Sequence, residues 1–532
     1  MSDIYANYRS TTDTNLRRKD MNPTSGMCPI CIKDCKVLCE IGKSAFRGRE
    51  VLYPTPEQFG HSTASSNKDY GLDWSHFQIL TEVLGAKGIE EDSDKAVFPN
   101  VDISTSVGGV PLRLPAFTAG LGSTAVAKNY WDGLAVGAAI SGTIQVIGEN
   151  VCGMDAESKI VDGKVKESPD LRYRVEKYRE FWDETHGDIV VQTNVEDQRI
   201  GTDVYALSCL EVNIIERKWG QGAKAIGGEV RIDTLEKALM LKHRGYVVIP
   251  DPTEPSVQKA FKEGSFKTFE RHSRVGFPQH DSFVEDIEWL RDNGAKKVFL
   301  KSGAYRPAAT AFTLKAASDA KIDLLTFDGA GGGTGMSPVP MMNECSTPTV
   351  YLQAQVMKAV KILEENNKYV PDIAFAGGFV NETQIYKSIA MGDTGNGNGP
   401  YVKSVAMARA PITAVMKAEH FMELAHADEL PRDFVLNYSD KPEHFFIAYS
   451  ELEDKYGEDV KKISAGAIGL YTYWVDRIGV GLQQLMAGAR KFKINLIGRE
   501  DIAAITERAA NVTGIPFIAD IESDVMEKIL LE

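Results

Sequence analysis

From about residue 110 onward, short apolar runs rich in β-branched residues alternate with longer stretches whose apolar positions recur at helical spacing. A strand buried on both faces reads as a continuous apolar run, and a helix covering it is apolar on one side, so the alternation predicts a parallel α/β fold. The runs span 112–118, 144–147, 188–193, 212–215, 246–249, 297–301, 323–327, 373–376 and 402–408. Helical stretches lie at 123–141, 235–244, 283–293, 308–320 and 351–366; the last places Leu352, Val356, Val360 and Leu363 along one face. Nine runs are one more than an eight-stranded barrel needs. Several end in glycine or polar residues: Thr118-Ala119-Gly120, Gly148-Glu149-Asn150, Asp328-Gly329-Ala330 and Gly377-Gly378. In a barrel such loops open together on the C-terminal face, where chemistry sits. Outside this region, 1–27 reads as weakly ordered, and 41–95 mixes turns with short helices expected to lie across the body. The segment 392–400 reads as a surface insertion, and 465–532 as helical.

Length and charge narrow the class. The 532 residues exceed one ordinary domain. With 43% apolar and 25% charged residues the chain has a globular balance. Its net charge of −14 argues against nucleic acid or an anionic membrane as partner. No apolar run approaches the roughly 20 residues that span a bilayer. The first 19 residues lack an apolar secretory core, so the expected location is the cytoplasm.

Four of the seven cysteines, Cys28, Cys31, Cys35 and Cys39, follow the spacing C-x2-C-x3-C-x3-C. Four thiolates this close fit an iron–sulfur cluster or tetrahedral zinc. Structural zinc usually draws on two separated knuckles, so the compact run favours a [4Fe–4S] cluster. Cys209 and Cys345 read as small buried hydrophobes. Cys152, near a strand end, could face the active-site mouth, but inert burial is favoured.

Loops of glycine or other small residues follow three successive late runs: 328–335, Ala376-Gly377-Gly378 and the strand end at Ala408-Arg409. Glycine lets backbone amides approach a ligand closely, and in a barrel this late position is where a phosphate is commonly held. No Rossmann glycine fingerprint or Walker lysine is present. Lys301 ends its run and can hold positive charge beside a group that becomes negative. Gln221 and Lys224, a carboxamide and a cation on one glycine-flexed loop, suit a carboxylate substrate.

These loops resemble the FMN-binding synthase domain of glutamate synthases. Lys218-Trp219-Gly220-Gln221-Gly222-Ala223-Lys224 is similar to the family's K-x-x-Q-G-A-K, and 332–338 to its G-G-T-G-A-S-P. Pro115 to Gly122, Gly148-Glu149 and the segment 475–501 resemble further family elements, so the likeness runs over roughly 100–505. It implies a TIM (β/α)8 barrel over 101–490, an N-terminal extension over 1–100 bearing the cysteine cluster, and a C-terminal helical segment over 491–532. The surplus run 246–249 then lies outside the barrel. The resemblance further implies FMN beside Thr118 and Ala119, with Lys301 near its pyrimidine edge. The phosphate would rest on Gly332, Gly333, Gly377, Gly378, Ala408 and Arg409. Gln221, Lys224 and Glu149 would face the substrate, with Lys218 supporting their loop. In the family that substrate is 2-oxoglutarate with ammonia.

The chain departs from the family at Ala225, where the family has proline. It also lacks the family's cysteines after the last strand, since no cysteine follows Cys345. The N-terminal cluster is expected to take over electron entry. No N-terminal cysteine of an amidotransferase follows Met1, so ammonia is expected from solution or from an ammonia-supplying subunit. The expected activity is reductive amination of a 2-oxo acid, or a related amino-acid reaction, with a ferredoxin-like electron carrier. Two alternatives stand beside it: an N-methylglutamate synthase-type subunit of a larger complex, and a non-redox barrel that binds a phosphate ligand and carries structural zinc. Self-association is a further expectation. His280 and Asp281 match a family histidine–aspartate pair, where loop capping competes with catalysis.

Overall fold

The computed structural model describes residues 45–46, 68–222, 227, 229–332, 334 and 337–531. Eight parallel strands close into a barrel: β1 (Ala116–Leu121), β2 (Gln145–Ile147), β3 (Ile189–Thr193), β4 (Ile214–Lys218), β5 (Lys297–Ser302), β6 (Leu324–Asp328), β7 (Asp372–Ala376) and β8 (Val402–Met407). Each pairs with the next in sequence, and β8 returns to β1 through Val405↔Ala116 and Met407↔Thr118. The fold is therefore the TIM barrel.

Helices follow each strand and cover the barrel: α1 (Trp131–Ile140), α2 (Pro169–Arg179), α3 (Thr202–Cys209), α4 (His280–Asp292), α5 (Pro307–Asp319), α6 (Thr349–Glu365), α7 (Glu382–Met391) and α8 (Arg409–His426). Their starts are written locally. Ser168 accepts from Leu171 N ahead of α2, Asn381 forms a reciprocal capping box with Gln384 ahead of α7, and proline opens α2 and α5. The expected helix over 123–141 is broken at Tyr130, whose backbone (φ −109°, ψ 17°) leaves the helical region and separates Ala125–Asn129 from α1.

Two cores result. Outward residues such as Val191, Ile215, Leu300, Leu325 and Phe375 meet the helices, while Val190, Ile214, Phe299, Leu324 and Ala374 fill the lower barrel. A hairpin of Thr105–Val107 and Val110–Leu112 plugs the N-terminal end, adding Val107, Val110 and Leu112 to that inner core. The positive-φ turn at Gly108 has no room for a side chain, because a Cβ would lie 2.6 Å from the Phe299 ring.

The run near 246–249 does lie outside the barrel. Between β4 and α4 the chain makes an excursion with a three-stranded antiparallel sheet, in which Phe269–His272 lies between Glu229–Ile232 and Val247–Ile249. It has its own small core of Ile232, Ala238, Leu241, Tyr246, Val248 and Phe269.

Three further expectations are corrected. Residues 465–532 are not uniformly helical, because Ile502–Ala504 is a strand that pairs antiparallel with Phe77–Ile79. Cys209 and Cys345 are exposed rather than buried. Each stands at a helix end, past the turn whose apolar face is covered: Cys209 closes α3, and Cys345 caps Val339–Glu344. Cys152 is fully buried, and burial pushes its thiol pKa up to about 12.

Candidate active site

Inside the barrel the side chains change character along the strands. Val190, Ile214, Phe299 and Leu324 belong to the lower core; two residues on, and so on the same face, stand Gln192, Glu216, Lys301 and Thr326, all buried. Two further on come Lys218 and Asp328. Burying charges is costly unless they are paired and hydrogen-bonded, so this layer is held together by its partners. Lys301 Nζ lies 3.1 Å from Asp328 Oδ2. Gln192 Nε2 donates to Glu216 Oε1. Lys218 Nζ donates to both Glu149 Oε1 and Gln221 Oε1 at 2.7 Å, and Gln221 Nε2 reaches Thr334 Oγ1 at 3.1 Å.

The charge states follow. Burial would raise the Glu149 pKa, but Lys218, with help from Lys301, outweighs it and brings it down to about 2. Burial pulls the Lys301 pKa down, and Asp328, Glu216 and Glu149 reverse the sign. Glu216, deeper and dominated by burial, is raised. At neutral pH the mouth therefore holds a fixed carboxylate at Glu149 and a fixed ammonium at Lys301.

These groups line a cavity of about 350 Å³ at the C-terminal mouth, together with Ala119, Gly332, Gly377, Gly378, Ala408 and Arg409. A second cavity of about 320 Å³ shares Glu149, Lys218 and Gln221 and runs beside Trp219, Tyr305 and Phe312. On the far side of the first, Gly331, Gly377 and Gly378 have φ of 105°, 115° and 90°, which only glycine adopts freely. A Cβ on Gly377 would meet Thr349 Oγ1 at 2.6 Å; one on Gly378 would find nothing nearer than 3.8 Å and would fill the space between the loops. Thr349 Oγ1 donates to Gly377 O at 2.7 Å and lies 3.1 Å from Ala330 O, tying the two loops together. The N-terminus of α8, with no side-chain cap, begins beside them at Ala408. Backbone amides and a helix N-terminus around a side-chain-free space suit a phosphate. Thr118 Oγ1 is buried without a hydrogen-bond partner among the described residues, next to the cavity wall at Ala119. These features fit a phosphorylated ligand with polar ring edges.

Of the residues singled out in the sequence, Ala119, Glu149, Gln221, Lys301, Gly332, Gly377, Gly378, Ala408 and Arg409 meet at this cavity, and Thr118 lies directly behind it. Lys224, Gly333 and the ligand set Cys28, Cys31, Cys35 and Cys39 fall outside the described residues. His280 stands at the exposed start of α4 between Asp281 at 2.7 Å and Asp319 at 2.8 Å, which raise its pKa, and it does not line the cavity.

Sequence reasoning passed over Asp328 as a partner for Lys301, although opposite charges at neighbouring strand ends were a usable signal. It also missed Asp197, which is fully buried and accepts from Asn150 N at 2.9 Å and Asn194 N at 3.3 Å. That bond holds the left-handed turn at Asn150 (φ 67°), directly after Glu149. Burial pushes the Asp197 pKa up to about 7.

Among solved structures, the chain is similar to the recombinant flavin-binding domain of baker's yeast flavocytochrome b2, at 12% identity over 86% of this chain and 82% of that one, with a TM-score of 0.44. It is also similar to a soluble mutant of the membrane-associated (S)-mandelate dehydrogenase from Pseudomonas putida, at 13% identity over 81% and 88%, with a TM-score of 0.42. No curated protein matches it. Residues 276–403 match the model of a conserved region in glutamate synthase. That span runs from before α4 into β8 and includes Lys301, Asp328 and the glycine cradle. The resemblance seen in the sequence is thus borne out over residues 276–403, where the chain matches a conserved region in glutamate synthase.

Proposed function

We propose that the chain is a flavoprotein oxidoreductase of the glutamate synthase type. It would hold FMN at the barrel mouth and reductively aminate a 2-oxo acid, with 2-oxoglutarate and ammonia as the leading substrates. Electrons would enter from a ferredoxin-like carrier through a [4Fe–4S] cluster on Cys28, Cys31, Cys35 and Cys39, in the cytoplasm. Bound FMN supplies the exchange between single electrons and hydride that such a reduction requires.

The observation that carries the reading is one cavity joining a phosphate cradle to a layer of paired charges. Gly331, Gly377, Gly378 and the α8 N-terminus would hold the phosphate, and Thr118 would meet a polar ring atom. Lys301, kept protonated by Asp328, would hold positive charge where reduction adds negative charge. Glu149, with its pKa near 2, is a hydrogen-bond acceptor and fixed negative charge rather than a proton donor. It suits a cationic nitrogen developing on the substrate. Lys218 and Gln221 hold that carboxylate in place.

Denaturing the purified protein and measuring released FMN, iron and acid-labile sulfide tests the cofactors. The expected result is about one FMN and one four-iron cluster per chain, following the four cysteine ligands. Turnover with reduced ferredoxin, 2-oxoglutarate and ammonium is expected to give glutamate; methylamine in place of ammonium tests for N-methylglutamate. A colourless preparation holding zinc and no FMN would falsify the proposal in favour of a non-redox phosphate-binding barrel.

A further inference from the structure

The charged layer inside the barrel holds one carboxylate more than its lysines match. Lys218 is paired with Glu149, and Lys301 with Asp328. The arginines of the cavity lie elsewhere, Arg271 on the excursion sheet and Arg409 at the start of α8. Glu216, on β4 two residues below Lys218, is 2% exposed and forms no ion pair among the described residues. Its side-chain partner is an amide. Gln192 stands opposite it in the β3–β4 register and donates from Nε2 to Glu216 Oε1. Beneath the two lie Val190, Ile214 and Phe299 of the apolar lower core. Gln192 is itself buried, and its Oε1 has no hydrogen-bond partner among the described residues.

The unmet oxygen thus belongs to the same side chain that donates to the acid. A carboxylate only accepts hydrogen bonds, whereas a carboxylic acid also carries one O–H donor. A protonated Glu216 can return a hydrogen bond to Gln192 Oε1, so that acid and amide meet through both edges and no buried acceptor is left over. An ionised Glu216 leaves that oxygen unmet and sets a third negative charge against two ammonium groups. Burial holds the Glu216 carboxyl above the usual range; Lys301, Gln192 and Lys218 draw it down, and Glu149 adds to the rise. Negative charge arriving beside Lys301 acts in the same direction as Glu149.

We infer that Glu216 is a proton-accepting group coupled to the redox state of the site, taking up one proton from solvent as negative charge is added above it. The inference rests on the reading that the cavity holds FMN. For each pair of electrons from the reductant, one proton goes to the bound flavin, which is left with one added negative charge. A second proton goes to the Glu216 carboxylate, and its O–H turns to Gln192. The total charge of the layer and flavin is then unchanged. Hydride transfer to a substrate removes both electrons and the flavin's proton, and Glu216 releases its own to solvent. Glu216 does not line the cavity, so it is a positioning residue that acts by leaving the Lys301 charge unopposed.

The test is the reduction potential of the full-length holoprotein and of E216Q against pH, with dithionite as reductant, beside infrared titration of the flavin-free proteins. Two protons per electron pair change the reduction equilibrium about 100-fold per pH unit, or about 59 mV; one proton changes it about tenfold, or about 30 mV. Wild type should show the steeper slope over part of the range. E216Q, with a neutral side chain of the same shape, should keep the shallower slope throughout. In the flavin-free wild type, a carboxylic C=O band absent from E216Q should titrate above the ordinary glutamate pKa of about 4.3. Should E216Q fail to fold, Q192M takes its place and should displace the pH at which the slope changes; an undisplaced change overturns the inference. So do a shallow slope throughout in wild type, equal slopes in wild type and E216Q, and a flavin-free wild type without the band. A protein that binds no FMN yet shows the band would sink the flavin reading and leave Glu216 standing as the proton-accepting group.

Discussion

The side chains that define the mouth act in pairs, and the pair Lys301–Asp328 makes this measurable. Both groups are below a tenth exposed. Removing one partner strands the other as a buried charge, at a cost of about 3–5 kcal/mol. K301M and D328L are each expected to lose stability of that order in urea unfolding, while the K301M/D328L double variant regains most of it. Activity should behave differently. If Lys301 stabilises the negative charge that reduction adds, all three variants should lose about 10²-fold or more in kcat, because the ammonium is gone in two of them and loses its Asp328 anchor in D328L. Additive stability losses in the double variant would show that the two groups are not coupled. This asymmetry also explains what the sequence disclosed. Lys301 was legible because a lysine closing an apolar run is conspicuous. Asp328 also closes an apolar run, but it opens a glycine run that reads as a loop, and the register Lys301↔Thr326 is what pairs it with Lys301. Arg271, buried on the excursion sheet and lining the same cavity, carried less signal still: Phe269-Glu270-Arg271-His272 gives no hint of which face is buried, since charges flank Arg271 on both sides.

At the scale of elements, the proposed phosphate cradle belongs to two loops and a helix start, and its glycines can be separated from ordinary turn glycines. Gly378→Ala should cost roughly 1–2 kcal/mol from its positive φ, and should also weaken FMN retention at least tenfold by filling the cradle. Gly264→Ala is the control: its φ is 76° and nothing lies within 4 Å, so the stability cost should be similar and the FMN content unchanged. Equal FMN retention in both would remove the cradle from the site. The excursion sheet has its own titration. His272 lies 3.2 Å from both Glu229 and Glu270, which raise its pKa to about 9. A folded pKa above the unfolded value of about 6.5 gives stability that is fully present below pH 6.5 and lost as pH rises through 9. Wild type is therefore expected to lose about 1–2 kcal/mol between those limits after discounting for solvent screening, and His272→Phe to lack that slope. Flat stability of the wild type across that window would remove His272 from the sheet's energetics. Elements with repeated apolar runs were readable because both faces of each strand are buried. The hairpin Thr105–Val107 with Val110–Leu112 and the strand Ile502–Ala504 were not: Gly108, Gly109 and Pro111 read as a turn, and Ala503-Ala504 favour a helix.

Across the whole molecule, the segments before and after the barrel hold each other against it. Phe77–Ile79 pairs with Ile502–Ala504, Lys387 on α7 donates to Trp74 O at 3.0 Å, and Arg508 donates to Tyr351 Oη at 2.5 Å and to Tyr70 O at 3.3 Å. Tyr70 also reaches the carbonyls of Met342 and Asn343 at 3.2 Å, close after the glycine-rich loop. The stretch that leads out of the cysteine-bearing segment thus runs past the same barrel end as the cradle, where Tyr70, Trp74, Gly377 and Gly378 line one cavity. Phe77, 1% exposed and packed in the outer core, is the anchor of this arrangement. Phe77→Ala should cost about 3–5 kcal/mol, since a large side chain leaves a cavity that its neighbours fill only in part. Because the strand is antiparallel to Ile502–Ala504, the loss should be shared: amide exchange should quicken at both segments together while the amides of β3 and β4 keep their protection. If electrons do enter from the amino-terminal side, the same variant should slow flavin reduction by a ferredoxin-type donor far more than reduction by dithionite. Exchange that quickens at Phe77–Ile79 alone, with Ile502–Ala504 unchanged, would show that the two segments are fastened to the barrel independently.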